Sequence, residues 1–151
     1  MILYFASPVG VGSYSAGSFA VQVAVSADGR YAYVASYDNG LVIVDVSNPA
    51  IPVRVGGFDT PGTAYDVVLS ADGRHAFVAD ASGGLHVIDV SNPASPSRVA
   101  GDSGLVAIGV SISANGRYAY VGASTGLFVL DVSTPTNPVR VGGISGAYGS
   151  N

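Results

Sequence analysis

The chemistry open to this 151-residue chain rests on Asp, His, Ser and Tyr, because the sequence contains no Cys, Glu or Lys. The absence of Cys excludes disulfides, thiolate zinc sites and cysteine nucleophiles. Calcium sites need several oxygen ligands close together, and no Asp-x-Asp-x-Asp run occurs. No Gly-x-Ser-x-Gly elbow accompanies a strand-to-helix transition, and no pair of carboxylates stands out for glycosidase chemistry. We therefore predict no catalytic site, no metal and no cofactor.

Five residues in predicted loops are candidates for contact with a partner. Tyr14, Tyr37 and Tyr148 each place an aromatic ring where it can stack on another molecule. Asp38 and Asp80 lie between a second and a third predicted strand, and neither recurs throughout the chain. We therefore predict these five side chains as partner contacts, for another copy of the chain, a glycan or a peptide.

The charge balance argues against nucleic acids as partners, and the length of the apolar runs argues against a membrane span. Six Arg and ten Asp give a net charge of −4 at pH 7, which disfavours a phosphate-binding surface. No apolar run reaches the roughly 18 residues of a membrane span. The apolar opening 1–6 is short and lacks a charged leading region. We predict no membrane span and no intact signal peptide.

The chain is built from three copies of one repeat with a period of about 43 residues. Three recurring blocks start at Ser26, Ser70 and Ser113, at Gly40, Gly84 and Gly126, and at Pro52, Pro96 and Pro138. The third block also occurs at the N-terminus, as Pro-Val-Gly-Val-Gly over 8–12. We divide the single repeat domain 1–151 into a tail strand at 1–18 and repeats at 19–62, 63–104 and 105–151.

Each repeat contains the signals of four antiparallel strands. In the middle repeat these strands are predicted at 64–69, 75–80, 85–90 and 97–101. Asp72-Gly73 between the first two predicts a type I′ turn, in which both central residues have positive φ. The run Leu41–Val44 is apolar on both faces and is expected to be covered on both sides. The fold class is therefore all-β, with β-propeller-type blades: three four-stranded antiparallel repeats plus one extra N-terminal strand.

The recurring polar residues are interpreted as structural. Each third strand ends in an Asp that is expected to accept backbone N–H bonds from the next turn, or to meet an Arg of the fourth strand. The Asp residues are Asp45, Asp89 and Asp131, and the Arg residues are Arg54, Arg98 and Arg140. The Arg after each hairpin turn is expected to be solvated or paired with a nearby carboxylate.

The two histidines stand where other repeats carry packing residues. His75 replaces a Tyr, and His86 replaces a Val or a Phe. The predicted hairpin places residue 75 opposite about 90 and residue 86 opposite about 79, so the two rings are not cross-strand partners. We predict a structural or surface role for both.

The third-strand motif resembles that of the Leu-Val-Ile-Val-Asp (LVIVD) repeat family. Leu41–Asp45 matches this string literally, and Leu85–Asp89 and Leu127–Asp131 are close variants. The resemblance covers nearly the whole chain. It implies a bacterial propeller of a surface or exported protein, and it brings no catalytic motif. The expected location is therefore extracellular or at the cell surface.

Three blades are too few to close a ring, since propellers have about four to eight. Each terminal blade would leave a sheet face of roughly 300 Å² in plan uncovered. Two copies could form a six-bladed ring, and a contact that does not close would form a filament. The tail around Pro8, Val9 and Val11 could be donated to a neighbour's sheet edge, cap its own first blade or be disordered. The chain could also be a fragment of a longer propeller.

We predict a non-enzymatic, self-assembling structural or scaffolding protein, as a closed homo-oligomer or an extracellular filament. The first alternative is an extracellular propeller module that binds a glycan or a peptide. The second alternative is an enzyme of unknown class.

Overall fold

The computed structural model describes residues 9–146, which form twelve β-strands and no helix that could span a membrane. The first four are β1 (Ala20–Val25), β2 (Tyr31–Ser36), β3 (Gly40–Asp45) and β4 (Val53–Phe58). The next four are β5 (Asp66–Leu69), β6 (His75–Ala79), β7 (Leu85–Asp89) and β8 (Ser97–Asp102). The last four are β9 (Ala107–Ile112), β10 (Tyr118–Ala123), β11 (Gly126–Asp131) and β12 (Val139–Ser145).

The strands form three antiparallel sheets of four, each a meander of consecutive strands. We call β1–β4 blade 1, β5–β8 blade 2 and β9–β12 blade 3. The predicted all-β fold of three four-stranded repeats is confirmed. The strands of blade 2 begin and end within two residues of the predicted positions. The described part of the tail, 9–18, belongs to none of the three sheets.

The prediction of a type I′ turn between the first two strands is wrong. The backbone N–H of Gly73 donates to the carbonyl of Ser70, so the central residues of the turn are Ala71 and Asp72, which have negative φ. Only Gly73 has positive φ, at 68°. This is a type I turn followed by a left-handed glycine. The Asp72 carboxylate stabilises it by accepting from the Ser70 hydroxyl and the Arg74 N–H.

The apolar core lies between the blades, because each middle strand is apolar on both faces. Leu41 and Ile43 of β3 pack toward blade 2, and Phe77 and Leu85 of blade 2 pack toward blade 3. Every residue from Leu41 to Val44 is buried, as its two-sided pattern predicted. The side of each blade that faces the next one carries large side chains, and we call it the forward face. The opposite side is the backward face.

Polar links join blades 2 and 3 beside this core. Ala81 and Ala107 exchange two backbone hydrogen bonds of 2.8 and 3.0 Å between blades 2 and 3. The Val110 N–H donates to the Asp66 carboxylate at 2.9 Å. Asp102 of blade 2 accepts two hydrogen bonds from the guanidinium of Arg140 of blade 3. These links fix the stacking of adjacent blades, so the end faces of the stack are held in defined positions.

Candidate functional site

The forward face of blade 3 is an interface between blades that lacks its second blade. Leu41 and Leu85 occupy equivalent positions in blades 1 and 2, and both are 0% exposed. Leu127, at the same position in blade 3, is 41% exposed. Tyr120 is likewise 39% exposed, whereas its equivalent Phe77 is 1% exposed. The exposure therefore comes from the missing neighbour and not from a different sequence.

We call this surface the open face. It comprises six residues that are cross-strand neighbours on one side of the sheet, namely Tyr120, Gly122, Leu127, Val129, Gly142 and Ile144. Ile144 is 74% exposed. Contiguous apolar surface of this kind on a soluble protein marks a site of interaction. At one end of the face, Tyr118 and Asp131 form a polar border.

The backward face of blade 1 is covered over only part of its width. Val23 and Val25 of β1 are 54% and 55% exposed. By contrast, Ala32, Val42 and Val44, further from β1 on the same face, form a small buried cluster. The two ends of the stack therefore differ, because blade 3 is open while blade 1 is open only along β1.

The N-terminal tail lies against blade 1 in the position of a fourth strand. A β-carbon on Gly12 would come within 2.1 Å of the Pro49 carbonyl oxygen. Gly56 of β4 meets blade 2 in the same way, since its β-carbon would lie 2.0 Å from the Pro93 oxygen. The amide of Asn39 also donates to the Ala16 carbonyl at 2.9 Å. The tail thus occupies the place that the fourth strand of a preceding blade would take.

Within residues 9–146, the tail joins none of the three sheets. Val9 and Val11 of the predicted donated strand are 80% and 65% exposed, and Pro8 lies outside the described residues. The described tail therefore contacts blade 1 while leaving its apolar side chains in solvent.

A buried polar cluster occupies the junction between blades 1 and 2. Asp80 is fully buried and accepts hydrogen bonds from the Thr60 hydroxyl and from the Gly62 N–H at 2.8 Å. His86 Nε2 lies 3.2 Å from the same carboxylate, and Arg98 Nε donates to His86 Nδ1 at 2.8 Å. Because Nδ1 accepts, the proton of a neutral ring must be on Nε2, which donates to Asp80. The cluster ties the loop between blades 1 and 2 to the middle sheet.

The cluster forms one wall of an open pocket of about 470 Å³. Phe58, Pro61, Ser82, Arg98 and Ser103 are among its lining residues. Within residues 9–146, no group of three His, Asp or Glu side chains is arranged to hold a metal ion.

The cluster was missed at the level of sequence. The strand register pairs His86 with Val78 and His75 with Asp89, one residue away from the predicted pairing. Asp80 and His86 replace Ser36 and Val42 of blade 1, so both departures from the repeat occur in the same copy. That coincidence is the signal from which the contact could have been inferred.

The predicted partner contacts are scattered over the structure. Tyr14 is 38% exposed in the tail, and Tyr37 stacks edge-on against Phe19 and Tyr65 at centroid distances of 6.2 and 5.7 Å. Asp38 is exposed and accepts from the Ser18 hydroxyl. Asp80 is buried, which removes it from the accessible surface, and Tyr148 lies outside the described residues. Among the described residues, the predicted contacts therefore do not form one cluster, and Tyr37 and Asp38 lie side by side because they are consecutive in the chain.

The aspartates that end the third strands bind the following turn, as the sequence predicted. Asp131 accepts from the Ser133 N–H at 2.9 Å and from its hydroxyl. This serine hydroxyl is the largest cause that lowers the pKa of Asp131, and equivalent serines lower the pKa of Asp45 and Asp89. The expected pairing of these aspartates with Arg of the fourth strand does not occur. Arg117, after the hairpin turn, pairs with Asp131 instead at 3.1 Å.

Comparison with known sequences accounts for the repeat. The LVIVD repeat matches residues 19–60, 61–101 and 107–145. The chain belongs to the LVIVD repeat family. The resemblance predicted from the third-strand motif is thereby confirmed. No curated protein matches the sequence.

Solved structures similar to this LVIVD chain include propellers. The Cps50 (Swd1) β-propeller domain of Myceliophteria thermophila is 15% identical with a TM-score of 0.71, over 86% of this chain and 44% of that one. The periplasmic gluconolactonase PpgL of Pseudomonas aeruginosa is 21% identical with a TM-score of 0.67, over 85% and 42%. A Bacteroides fragilis protein thought to be a 6-phosphogluconolactonase is 15% identical with a TM-score of 0.72, over 82% and 38%. At these identities the likeness concerns the fold alone, and the chain spans about two fifths of these structures.

Proposed function

We propose that this chain is a structural propeller segment that associates with further copies of itself through the open face of blade 3. The observation that carries the proposal is the exposure of Leu127 and Tyr120, whose equivalents are buried wherever a next blade is present. A second copy supplies a backward face of the same repeat, so it offers the complement that the open face has inside the chain.

The backward face of blade 1 is the matching surface. Inside the chain, Phe77 and Leu85 of a forward face pack on Ala119 and Leu130 of a backward face. Ala32 holds the position of Ala119 in blade 1. Association is therefore head to tail, with the forward face of one copy on the backward face of the next. Such a contact closes into a ring or continues as a filament.

The low charge of the chain supports association. Only 11% of the residues are charged, against roughly 25% in an average globular domain. We propose an extracellular or cell-surface location on the family resemblance. The gluconolactonase names of two similar structures describe those proteins, and we propose no enzymatic activity for this chain.

The test is a complementation experiment with two variants that each block one end. Leu127→Asp places a charge on the open face, and Val23→Asp places one on the backward face of blade 1. Sedimentation velocity at two concentrations should show that wild-type protein forms species larger than one chain and that each variant alone remains a single chain.

A mixture of the two variants should form heterodimers, because each variant keeps one intact end. Ser95→Asp, which adds the same charge on an exposed turn of blade 2, should associate like the wild type. A wild-type protein that sediments as a single chain up to about 100 μM would refute the proposal, since an interface of standard size usually binds more tightly.

A second function is favoured by the aromatic cluster at one end of blade 1. Phe19 is 77% exposed and stacks edge-on with Tyr37, beside the exposed carboxylate of Asp38. Exposed rings next to a carboxylate suit the stacking and hydrogen bonding of a sugar. Under this proposal the chain binds a glycan, and a glycan array should give a hit that Tyr37→Ala or Asp38→Ala weakens. Equal signals from the wild type and both variants would exclude this site.

A further inference from the structure

We infer that the N-terminal tail is an internal mimic of β12 and that β12 of a second copy displaces it during association. The inference rests on the proposed head-to-tail contact, and it adds a mechanism by which the chain regulates that contact. The partner is a second copy of this chain, and the surface is the backward face of blade 1 at the Pro49–Ala50 loop.

The tail and β12 carry nearly the same sequence. Residues 8–12 read Pro-Val-Gly-Val-Gly, and residues 138–142 at the start of β12 read Pro-Val-Arg-Val-Gly. Four of the five positions are therefore identical. Whatever part of blade 1 accepts the tail can also accept β12 of another copy.

The geometry identifies the accepting position. Gly12 is pressed on the Pro49 oxygen as Gly56 is pressed on the Pro93 oxygen. Gly142 is the equivalent residue of blade 3, and a β-carbon there would meet no atom within 4 Å. In a head-to-tail assembly, Gly142 of one copy would reach the Pro49–Ala50 loop of the next. The tail occupies that place in the single chain.

The tail is held more weakly than the strand that replaces it. It joins no sheet, and its two described valines are mostly in solvent. By contrast, β12 is hydrogen-bonded along β11 from Val139 to Ser145 and is linked to blade 2 through Arg140. An incoming β12 therefore brings its whole sheet and the open face, whereas the tail brings a single segment.

Displacement follows because two segments cannot occupy one position. Blade 3 already has its fourth strand, so the sheet of an incoming copy has no vacancy for the tail to fill. The tail must leave before β12 docks. Only chains whose tail has been released can bind another copy. The apparent affinity between copies is therefore reduced in proportion to the fraction of chains with a released tail.

The test uses leucine substitutions at three glycines of the full chain. Gly12→Leu forces a side chain into the Pro49 oxygen and expels the tail. Gly10→Leu is the matched control, because a β-carbon at Gly10 meets nothing within 4 Å. Gly142→Leu leaves the single chain unaffected but obstructs docking. Leucine is used because the blade 2 position equivalent to Gly142 carries Ala100, which shows that one methyl group is tolerated.

The measurements are the association constant from sedimentation equilibrium and hydrogen exchange at the tail of single chains. We expect Gly12→Leu to raise the association constant about tenfold by releasing the tail, Gly10→Leu to leave it unchanged, and Gly142→Leu to lower it. A lower constant for Gly12→Leu would mean that the tail is donated to the partner, and an unchanged constant with faster tail exchange would mean that it does not compete. Either result overturns the inference. If the wild-type protein does not associate, the proposed function itself fails, whereas the exchange data still report the placement of the tail.

Discussion

Truncating the same leucine in two blades measures directly what the missing neighbour contributes. Leu85 and Leu127 each follow the glycine at the turn before the LVIVD motif of blades 2 and 3, so Leu85→Ala and Leu127→Ala remove identical atoms from equivalent positions. The side chains differ in what covers them, since Leu85 is 0% exposed and Leu127 is 41% exposed. Any difference between the two losses in the free energy of unfolding therefore measures what the covering blade contributes.

The two costs can be worked out from this difference. Leu85→Ala leaves a cavity between blades 2 and 3 and should lower the free energy of unfolding by about 3 kcal/mol. Leu127→Ala opens onto solvent, so no cavity remains and only part of the transfer free energy is lost, about 1 kcal/mol. The difference of about 2 kcal/mol corresponds to roughly 1 M in the midpoint of urea unfolding.

The assay is urea unfolding followed by circular dichroism at a concentration where sedimentation shows single chains. If copies associate at higher concentrations as proposed, the cost of Leu127→Ala should rise toward that of Leu85→Ala, because the partner would then cover Leu127. Equal costs in single chains would refute the reasoning, since they would show that something other than a second copy already covers the open face.

Three further predictions concern the polar links and turns. Asp80→Ala should lower the free energy of unfolding by about 3 kcal/mol, because it leaves buried donors without an acceptor, and Asp80→Asn should recover part of this in the same urea assay. The pKa of Asp102 is lowered mainly by the hydrogen bonds from Arg140. Because this pKa is lower in the folded than in the unfolded state, Asp102 contributes stability above the unfolded-state pKa of about 3.9. That stability is lost as the pH falls through the folded-state pKa. Thermal unfolding should show this loss below about pH 4, and Asp102→Asn should flatten it. Gly73→Ala should cost about 1 kcal/mol for positive φ in open space, whereas Gly84→Ala should cost more, because a β-carbon would lie 2.1 Å from a backbone oxygen.

The fold could be predicted from the sequence because each signal occurs three times. The two-sided apolar run at Leu41–Val44 returns at nearly the same spacing in each copy, and the glycine-containing turns divide the copies into strands. A single pattern can arise by chance, whereas three matching copies indicate that each repeat folds into the same four strands. The predicted turn type was wrong because the Asp-Gly pair is compatible with two hairpin geometries. The choice between them depends on the Ser70 carbonyl, which closes a turn one residue earlier.

The polar cluster could not be predicted in the same way because it depends on contacts between elements. Asp80 and His86 meet only in the observed register, and the ring is oriented by Arg98 from a third strand. A register error of one residue reverses the face of a side chain in a sheet. The loop that Asp80 binds follows the preceding blade. A sequence pattern within one repeat carries no information about such contacts with another repeat.

The position of the tail was also left open by the sequence. Its Pro-Val-Gly-Val-Gly block is equally compatible with capping blade 1 and with donation to a neighbour, because both use the contacts of a fourth strand. The structure adds the Gly12 contact with Pro49, which places the described tail on its own blade 1. Donation to a second copy stays a prediction that the glycine variants test.

The shapes of the two faces explain why association should be head to tail. A forward face presents large side chains such as Phe77 and Leu85, and a backward face receives them around the small side chain of Ala119. Two open faces placed against each other would oppose large side chains such as Tyr120 and Leu127 with the same large side chains of the other copy. A head-to-tail contact instead places Tyr120 opposite the Ala32 region, as in the contacts inside the chain. Because every proposed contact of this kind uses the blade 1 end, where the tail lies, we expect the occupancy of that end to limit assembly.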